Sequence, residues 1–224
     1  MDSVTLAYLL RSEGYDLRLL SIDYGQRHAK EIGFARLCAQ RLGAVFQVAD
    51  LSSVGLLLKG SALTDENIPV PHGHYAAHTM AVTVVPNRNA LMLSVAYAVA
   101  VAEGAELVST GVHAGDHYVY PDCRPEFIQA FDAMQRIAVE GFGHPDLRLH
   151  APFVNIYKHD IATIGARLGV PFEDTWSCYE GGEVHCGRCG TCTERRLAFE
   201  QAGVEDPTEY ADPDYCRLTA GMSG

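Results

Sequence analysis

Apolar residues recur at Val4, Leu6, Ala7, Leu9 and Leu10, a spacing that predicts a helix over residues 1–13, capped by Asp2 or Ser3 and ended by Gly14. Residues 17–22 (LRLLSI) then read as a strand. Residues 28–42 return to helical spacing ahead of Gly43, and residues 45–49 (VFQVA) form a second strand. Periodicity lapses over 50–86, a stretch holding Pro69, Pro71, Gly73 and three histidines, and a loop that long predicts a lid or a binding loop. Residues 89–103 are an Ala-rich helix whose Leu91, Leu93, Val95, Ala96, Val99 and Ala100 predict burial on most sides. A third strand (106–110), a polar loop (111–124), a helix opened by Pro125 (125–140) and an extended stretch (147–154) follow. Two more helices, 158–168 ended by Gly169 and 194–202, complete the chain. The alternation predicts an α/β fold, a mostly parallel sheet covered by helices on both faces.

Composition narrows the class. With 224 residues the chain can bury one sizeable core, so the expected organisation is an α/β domain over 1–170 and a cysteine-bearing lobe over 171–224, within one compact unit. No apolar run reaches about 18 residues and no basic start precedes an apolar segment, so a cytoplasmic protein without membrane contact is expected. A net charge of −11 argues against a broad nucleic-acid surface, which needs clustered Lys and Arg, and favours a small-molecule substrate.

The most specific chemistry lies at Cys178, Cys186, Cys189 and Cys192, spaced C-x7-C-x2-C-x2-C. Two residues between cysteines let a tight turn present two sulfurs to one ion, and Gly187 and Gly190 are the small residues such turns need. Three thiols in seven residues cannot all pair as disulfides, so one structural zinc with all four positions filled is the reading. His72, His74 and His78 form H-x-H-x3-H, either a metal set or a solvated loop. Cys38 on an apolar helix face and Cys123 read as packing.

Ligands of parallel sheets bind at the carboxyl ends of strands, which directs attention to Asp23 and Tyr24, to Arg88, and to the 111–124 loop with Tyr120, Asp122 and Arg124. Each has a plainer reading: Asp23 as a helix cap, Arg88 in a surface ion pair, Asp122 capping the helix that Pro125 opens.

Four segments in this order, SIDYGQRH (21–28), VVPNRN (84–89), GVHAGDHYVYPDCR (111–124) and the cysteine cluster, resemble the 7-cyano-7-deazaguanine synthase family, queuosine-pathway members of the PP-loop ATP pyrophosphatase superfamily. The likeness runs from Met1 to about Tyr210. It implies an adenine nucleotide alpha hydrolase-like fold with strand order 3-2-1-4-5 and a C-terminal zinc lobe. It also implies an ATP-dependent ligase, working with magnesium, that turns 7-carboxy-7-deazaguanine and ammonia into a nitrile, and a homodimer. Asp2 and Ser3 match the end of the family's Ser-Gly-Gly-x-Asp-Ser phosphate loop, and Lys158 its second phosphate-contacting base. On this resemblance Asp23 and Tyr24 are expected beside the adenosine and Arg88 at a phosphate or the substrate carboxylate; a guanine-like edge needs an aromatic or arginine stack and a carboxylate acceptor, for which Tyr120, Asp122 and Arg124 are the candidates. The first strand and the Ser-Gly-Gly fall before position 1, so Met1 is expected to be an internal methionine. Another PP-loop nucleotide-modifying enzyme, or an inactive truncated homologue, is the alternative.

Overall fold

The chain was described by a computed structural model over residues 1–74, 76 and 80–215. Two compact units divide it. One comprises residues 1, 3–85 and 159–215; the other, residues 2 and 86–158.

In the first unit, α1 (Asp2–Ser12) leads to β1 (Arg18–Asp23), α2 (Glu31–Leu42), β2 (Val45–Asp50) and the single turn α3 (Ser52–Gly55). β1 and β2 pair in parallel from Arg18↔Val45 to Asp23↔Asp50, so the carboxylates of Asp23 and Asp50 end neighbouring strands. The α1 face is Thr5, Leu6, Ala7 and Leu10 rather than the wider apolar set, and its N-cap is Met1 without a side-chain bond. Asp2 and Ser3 are therefore inside the helix, not capping it. α2 begins at Glu31, three residues later than its apolar spacing suggests. The Gln26 side chain explains this: its Nε2 donates to Ile22 O and Glu31 Oε1, while its Oε1 accepts from Tyr24 N, holding the chain in a turn.

The second unit contains α4 (Arg88–Glu103), β3 (Leu107–Ser109), α5 (Pro125–Ala138) and β4 (Arg148–His150). β3 and β4 are parallel, Leu107↔Arg148 to Ser109↔His150. Each sheet is thus two strands wide among the described residues. Asp132 ties this unit together, accepting at Oδ1 from the Tyr97 hydroxyl (2.8 Å) and from Leu149 N (2.6 Å). α4 buries only Leu93, Tyr97 and Ala100, one stripe and not most of its surface. Within its unit it packs on β3, on α5 and on the 3-10 turn Pro121–Cys123. The apolar stretch Ala81–Glu103 has a mean hydropathy of 1.2, enough by composition to cross a membrane. It is not one continuous α-helix, because Val84 is extended (ψ 116°) and only the 16 residues of α4 are regular. At 1.5 Å per residue that is about 24 Å, short of a hydrocarbon core of about 30 Å.

α6 (Lys158–Arg167) and α7 (Gly190–Ala202) follow, Lys158 itself grouping with the second unit. A Cβ on Gly165 would stand 2.5 Å from the Phe172 ring and 2.9 Å from Thr5 Oγ1, so glycine is what lets α6 approach α1. α7 starts four residues earlier than its apolar pattern indicates, because the cysteine turn runs directly into it with Cys189 as N-cap.

Candidate functional site

The four cysteines converge. Their Sγ atoms all lie within 4.8 Å of one another, with Cys186–Cys192 at 3.9 Å and Cys178–Cys189 at 4.0 Å, and all four side chains are buried. Sulfurs at about 2.3 Å from a tetrahedral ion stand about 3.8 Å apart, so the cluster fits a single ion. The local backbone is built for this. Gly187 takes φ 78°, and a Cβ there would lie 2.3 Å from Asp212 O, so glycine is required on both counts. Gly190 is ordinary helix, and its smallness is not needed for an unusual angle. Cys186 Sγ accepts from Arg188 N (3.3 Å) and Cys189 N (3.2 Å), and Cys178 Sγ from Cys186 N (3.3 Å). Such N–H groups favour thiolate over thiol. Hydrogen bonding among the four sulfurs holds Cys186 and Cys189 lowered and Cys178 and Cys192 raised, so on their own the sulfurs gather thiolate character on Cys189 and Cys186. With Cys189 at the N-cap and Cys192 in the first turn, the start of α7 adds positive potential at two of the four sulfurs.

A buried polar network supports the centre. Arg195, fully buried, donates from Nη1 to Thr175 Oγ1 (2.7 Å), from Nη2 to Phe172 O (3.0 Å), and from Nε and Nη2 to Asp206 Oδ1 (3.2 Å each). Burial would raise the Asp206 pKa, but Arg195 and the Tyr210 hydroxyl (2.6 Å) hold it lowered. Trp176 Nε1 donates to Cys178 O, and its ring lies 4.2 Å from that of His185. Burial pushes His185 down to about 4; neutral, its Nε2 accepts from Ser177 N. Neither Arg195 nor Asp206 stood out in the sequence. The adjacent pair Arg195 and Arg196 gives no sign of which one is buried.

At the carboxyl ends of β1 and β2 an open cleft of about 610 Å³ is lined by Tyr24, Gly25, Ser52, Ser53, Gly55, Lys59, Thr64 and neighbours. Asp23 Oδ1 accepts from Gly25 N in a tight turn, so it does not cap α2, and Tyr24 is buried. A Cβ on Gly55 would fall 1.8 Å from Tyr24 O, which makes α3 a close lid on that carbonyl.

In the second unit Asp2 Oδ2 pairs with Lys158 Nζ at 3.4 Å, bringing together two of the residues that the resemblance singled out. Burial would raise the Asp2 pKa, yet Lys158, then His113, outweigh it and lower it to about 2. Asp2 Oδ1 is buried without a hydrogen-bond partner among the described residues. Ser3, grouped with the first unit, is exposed. The Arg88 guanidinium lies 5.7 Å from the centre of the buried Tyr120 ring. Asp122 Oδ2 accepts from Asn89 N (2.9 Å), capping α4 and not the helix that follows it. Arg124 Nε donates to His117 O. Cys123 is buried with its pKa raised, chiefly by burial, and Cys38 is raised to about 11 for the same reason, in keeping with both as packing residues. His72 Nε2 sits 2.8 Å from Glu180 Oε1, and its backbone bridges to Cys189. His78 lies outside the described residues.

A profile for the family described as "Queuosine biosynthesis protein QueC" matches residues 1–203. The 7-cyano-7-deazaguanine synthase of Ruegeria sp. (strain TM1040) is 59% identical over 216 residues, covering 96% of this chain and 91% of that protein. The corresponding protein of Rhizobium meliloti (strain 1021) is 59% identical over 221 residues, 99% and 92% of the two. Among solved structures, the U34-tRNA thiolase NcsA from Methanococcus maripaludis with its [4Fe-4S] cluster overlaps at a TM-score of 0.44 and 12% identity, over 99% of this chain and 77% of that one, too slight a likeness to carry a reading.

Proposed function

The chain belongs to the QueC family of queuosine biosynthesis proteins, and we propose that it is an ATP-dependent ligase converting 7-carboxy-7-deazaguanine and ammonia to 7-cyano-7-deazaguanine. The observation that carries this is 55–59% identity to synthases of that name over at least 90% of both chains.

The chemistry follows from the poor electrophilicity of a carboxylate. A carboxylate oxygen attacks the α-phosphorus of ATP and pyrophosphate leaves; ammonia then displaces AMP, giving the amide. The amide oxygen attacks a second ATP in the same way, and loss of AMP and two protons leaves the nitrile. The protein's task is to position the reactants and offset phosphate charge.

In this reading Asp2, Ser3 and Lys158 attend the phosphates, with magnesium carried by the nucleotide. The Asp2–Lys158 pair and the unpartnered Asp2 Oδ1 support it, since that buried oxygen is suited to a donor or a cation. Asp23 and Tyr24 are assigned to adenosine, and the cleft beside Tyr24 is the supporting feature. Arg88 is assigned to phosphate or the substrate carboxylate, and Tyr120, Asp122 and Arg124 to the deazaguanine. The ion held by the four cysteines is zinc, cross-linking the segment 178–192 without entering the reaction; sulfurs only about 4 Å apart suit one ion better than a multi-iron cluster. A cytoplasmic homodimer with no nucleic-acid partner completes the reading, and the half-buried Leu91, Val95 and Val99 of α4 favour a partner copy. Incubation with 7-carboxy-7-deazaguanine, ATP, magnesium and ammonium is expected to yield the nitrile and AMP by mass spectrometry. Absence of nitrile from folded, metal-loaded protein would favour an inactive homologue or a different PP-loop activity.

A further inference from the structure

The cleft and the metal centre share a wall. Leu58, Lys59, Thr64, Asp65 and Glu66 line the cleft beyond Tyr24. In the same stretch Ala62 and Val70 are buried against Trp176 and the four cysteines, with Ile68 packed on that cluster. This segment is a built turn. Asp65 N donates to Ser61 O (2.9 Å), Ile68 N to Asp65 O (3.2 Å), and Asn67 N to Asp65 Oδ1 (2.9 Å).

Its carbonyls converge on one side chain. Arg27 Nη2 donates to Asp65 O (3.0 Å) and to Ile68 O (3.1 Å), while Arg27 N donates to Leu63 O (2.9 Å). From the opposite side, Gly181 of the cysteine-bearing segment (φ 71°) lies so close that a Cβ would stand 2.5 Å from Arg27 O. Farther along the loop, Gly73 N donates to Arg188 O at 2.9 Å, a second fastening to the cysteine turn. The Arg27 side chain therefore holds the turn, while its backbone carbonyl lies against the metal-bearing segment.

We propose that Arg27 is a positioning residue that sets the 61–68 wall of the cleft against the metal-bearing segment, and so fixes the affinity of the cleft for the small molecule bound there. The inference rests on the ligase reading for the identity of that molecule. Arg27, Asp65 and Ile68 are all half-buried, and the two hydrogen bonds lie in a part-buried setting and not in the core. Loss of the guanidinium thus loosens the wall locally and leaves the core intact. A guanidinium presents several donors from one rigid plane, whereas lysine offers a single point charge, so lysine restores the brace only in part.

The test is Arg27→Met beside Arg27→Lys in metal-loaded protein. For Arg27→Met, amide hydrogen exchange over residues 61–68 is expected to quicken roughly tenfold, the equivalent of about one charge-assisted hydrogen bond. The KM for ATP, whose adenosine is assigned to this cleft, should rise by a similar factor, with the KM for 7-carboxy-7-deazaguanine and kcat within about twofold and metal content unchanged; Arg27→Lys should fall between. Unchanged exchange and unchanged KM values in Arg27→Met would overturn the proposal. So would loss of metal with faster exchange throughout α2 and α7, which would make the role merely structural. Should the wild-type protein make no nitrile, the ligase reading fails, and the exchange comparison still decides the brace.

Discussion

Replacing Arg195 with methionine isolates the network that supports the metal centre. The guanidinium is fully buried and the Asp206 carboxylate nearly so, at 0% and 12% side-chain exposure. Methionine keeps the stem volume and removes the charge, leaving Asp206 with the Tyr210 hydroxyl and Thr208 N as donors. Removing one partner of a buried pair costs about 3–5 kcal/mol, and the two remaining donors point to the lower figure, about 3 kcal/mol. For a chain of this size that is a fall in Tm of roughly 6–12 °C. The pH dependence has a definite sign. In the wild type the Asp206 pKa is lowered, so its contribution is complete above the unfolded value near 3.9 and is lost as pH falls through the lower folded value. In the variant, burial without Arg195 raises the folded pKa instead, so the penalty is full near neutrality and shrinks on acidification. Urea unfolding at pH 7 and pH 5, followed by the fluorescence of the single tryptophan, should show the gap between the two proteins narrowing at pH 5. Adding Asp206→Asn should recover part of the loss. A variant within 1 kcal/mol of wild type at pH 7, or a double variant no better than the single one, would refute this account of the network.

Chelation of the metal, or Cys189→Ser, should redden and weaken the Trp176 emission, because that ring packs in the same buried cluster as the four cysteines; an unchanged spectrum after complete metal removal would contradict a structural role for the ion. Gly187→Ala should cost at least about 2 kcal/mol and speed metal release to a chromogenic chelator, since it combines a positive φ with a 2.3 Å approach to Asp212 O. Asp2, with its pKa lowered to about 2, stays ionised above pH 4, and its pairing contributes stability that is lost only as pH falls through about 2. Asp2→Asn should therefore depress nitrile formation at least about tenfold without moving any acidic limb of the pH–rate profile above pH 4, whereas a shifted limb would assign Asp2 a titrating role.

The cysteine spacing was sufficient to expect four sulfurs gathered at a separation one ion can span, because short turns constrain their own geometry. Helix and strand order was legible for a similar reason: apolar periodicity reports which face each element buries. What escaped were relations set by long-range contact. Arg195 and Asp206 lie eleven positions apart, and nothing local marks either as buried. The early start of α7 was hidden because Gly190, Thr191 and Cys192 carry no apolar pattern. Asp122 looked equally suited to a ligand or to the helix after it, and only the fold reveals its bond to Asn89, 33 positions away. α4 read as buried from composition, which cannot say how many neighbours a helix has. Conversely, Asp2 and Lys158 were both singled out as phosphate contacts by the resemblance, but their pairing across 156 positions could not have been inferred from spacing.

Two adenylations, first of the carboxylate and then of the amide, transfer one substrate oxygen each to AMP, and isotope labelling reads both. With 7-carboxy-7-deazaguanine labelled with ¹⁸O in both carboxyl oxygens, ATP and ¹⁵N-ammonium, each AMP formed should carry one ¹⁸O. The nitrile should carry one ¹⁵N and no ¹⁸O. Unlabelled AMP alongside nitrile, or ADP and phosphate as the nucleotide products, would contradict the proposed route. No nitrile at all would contradict the function.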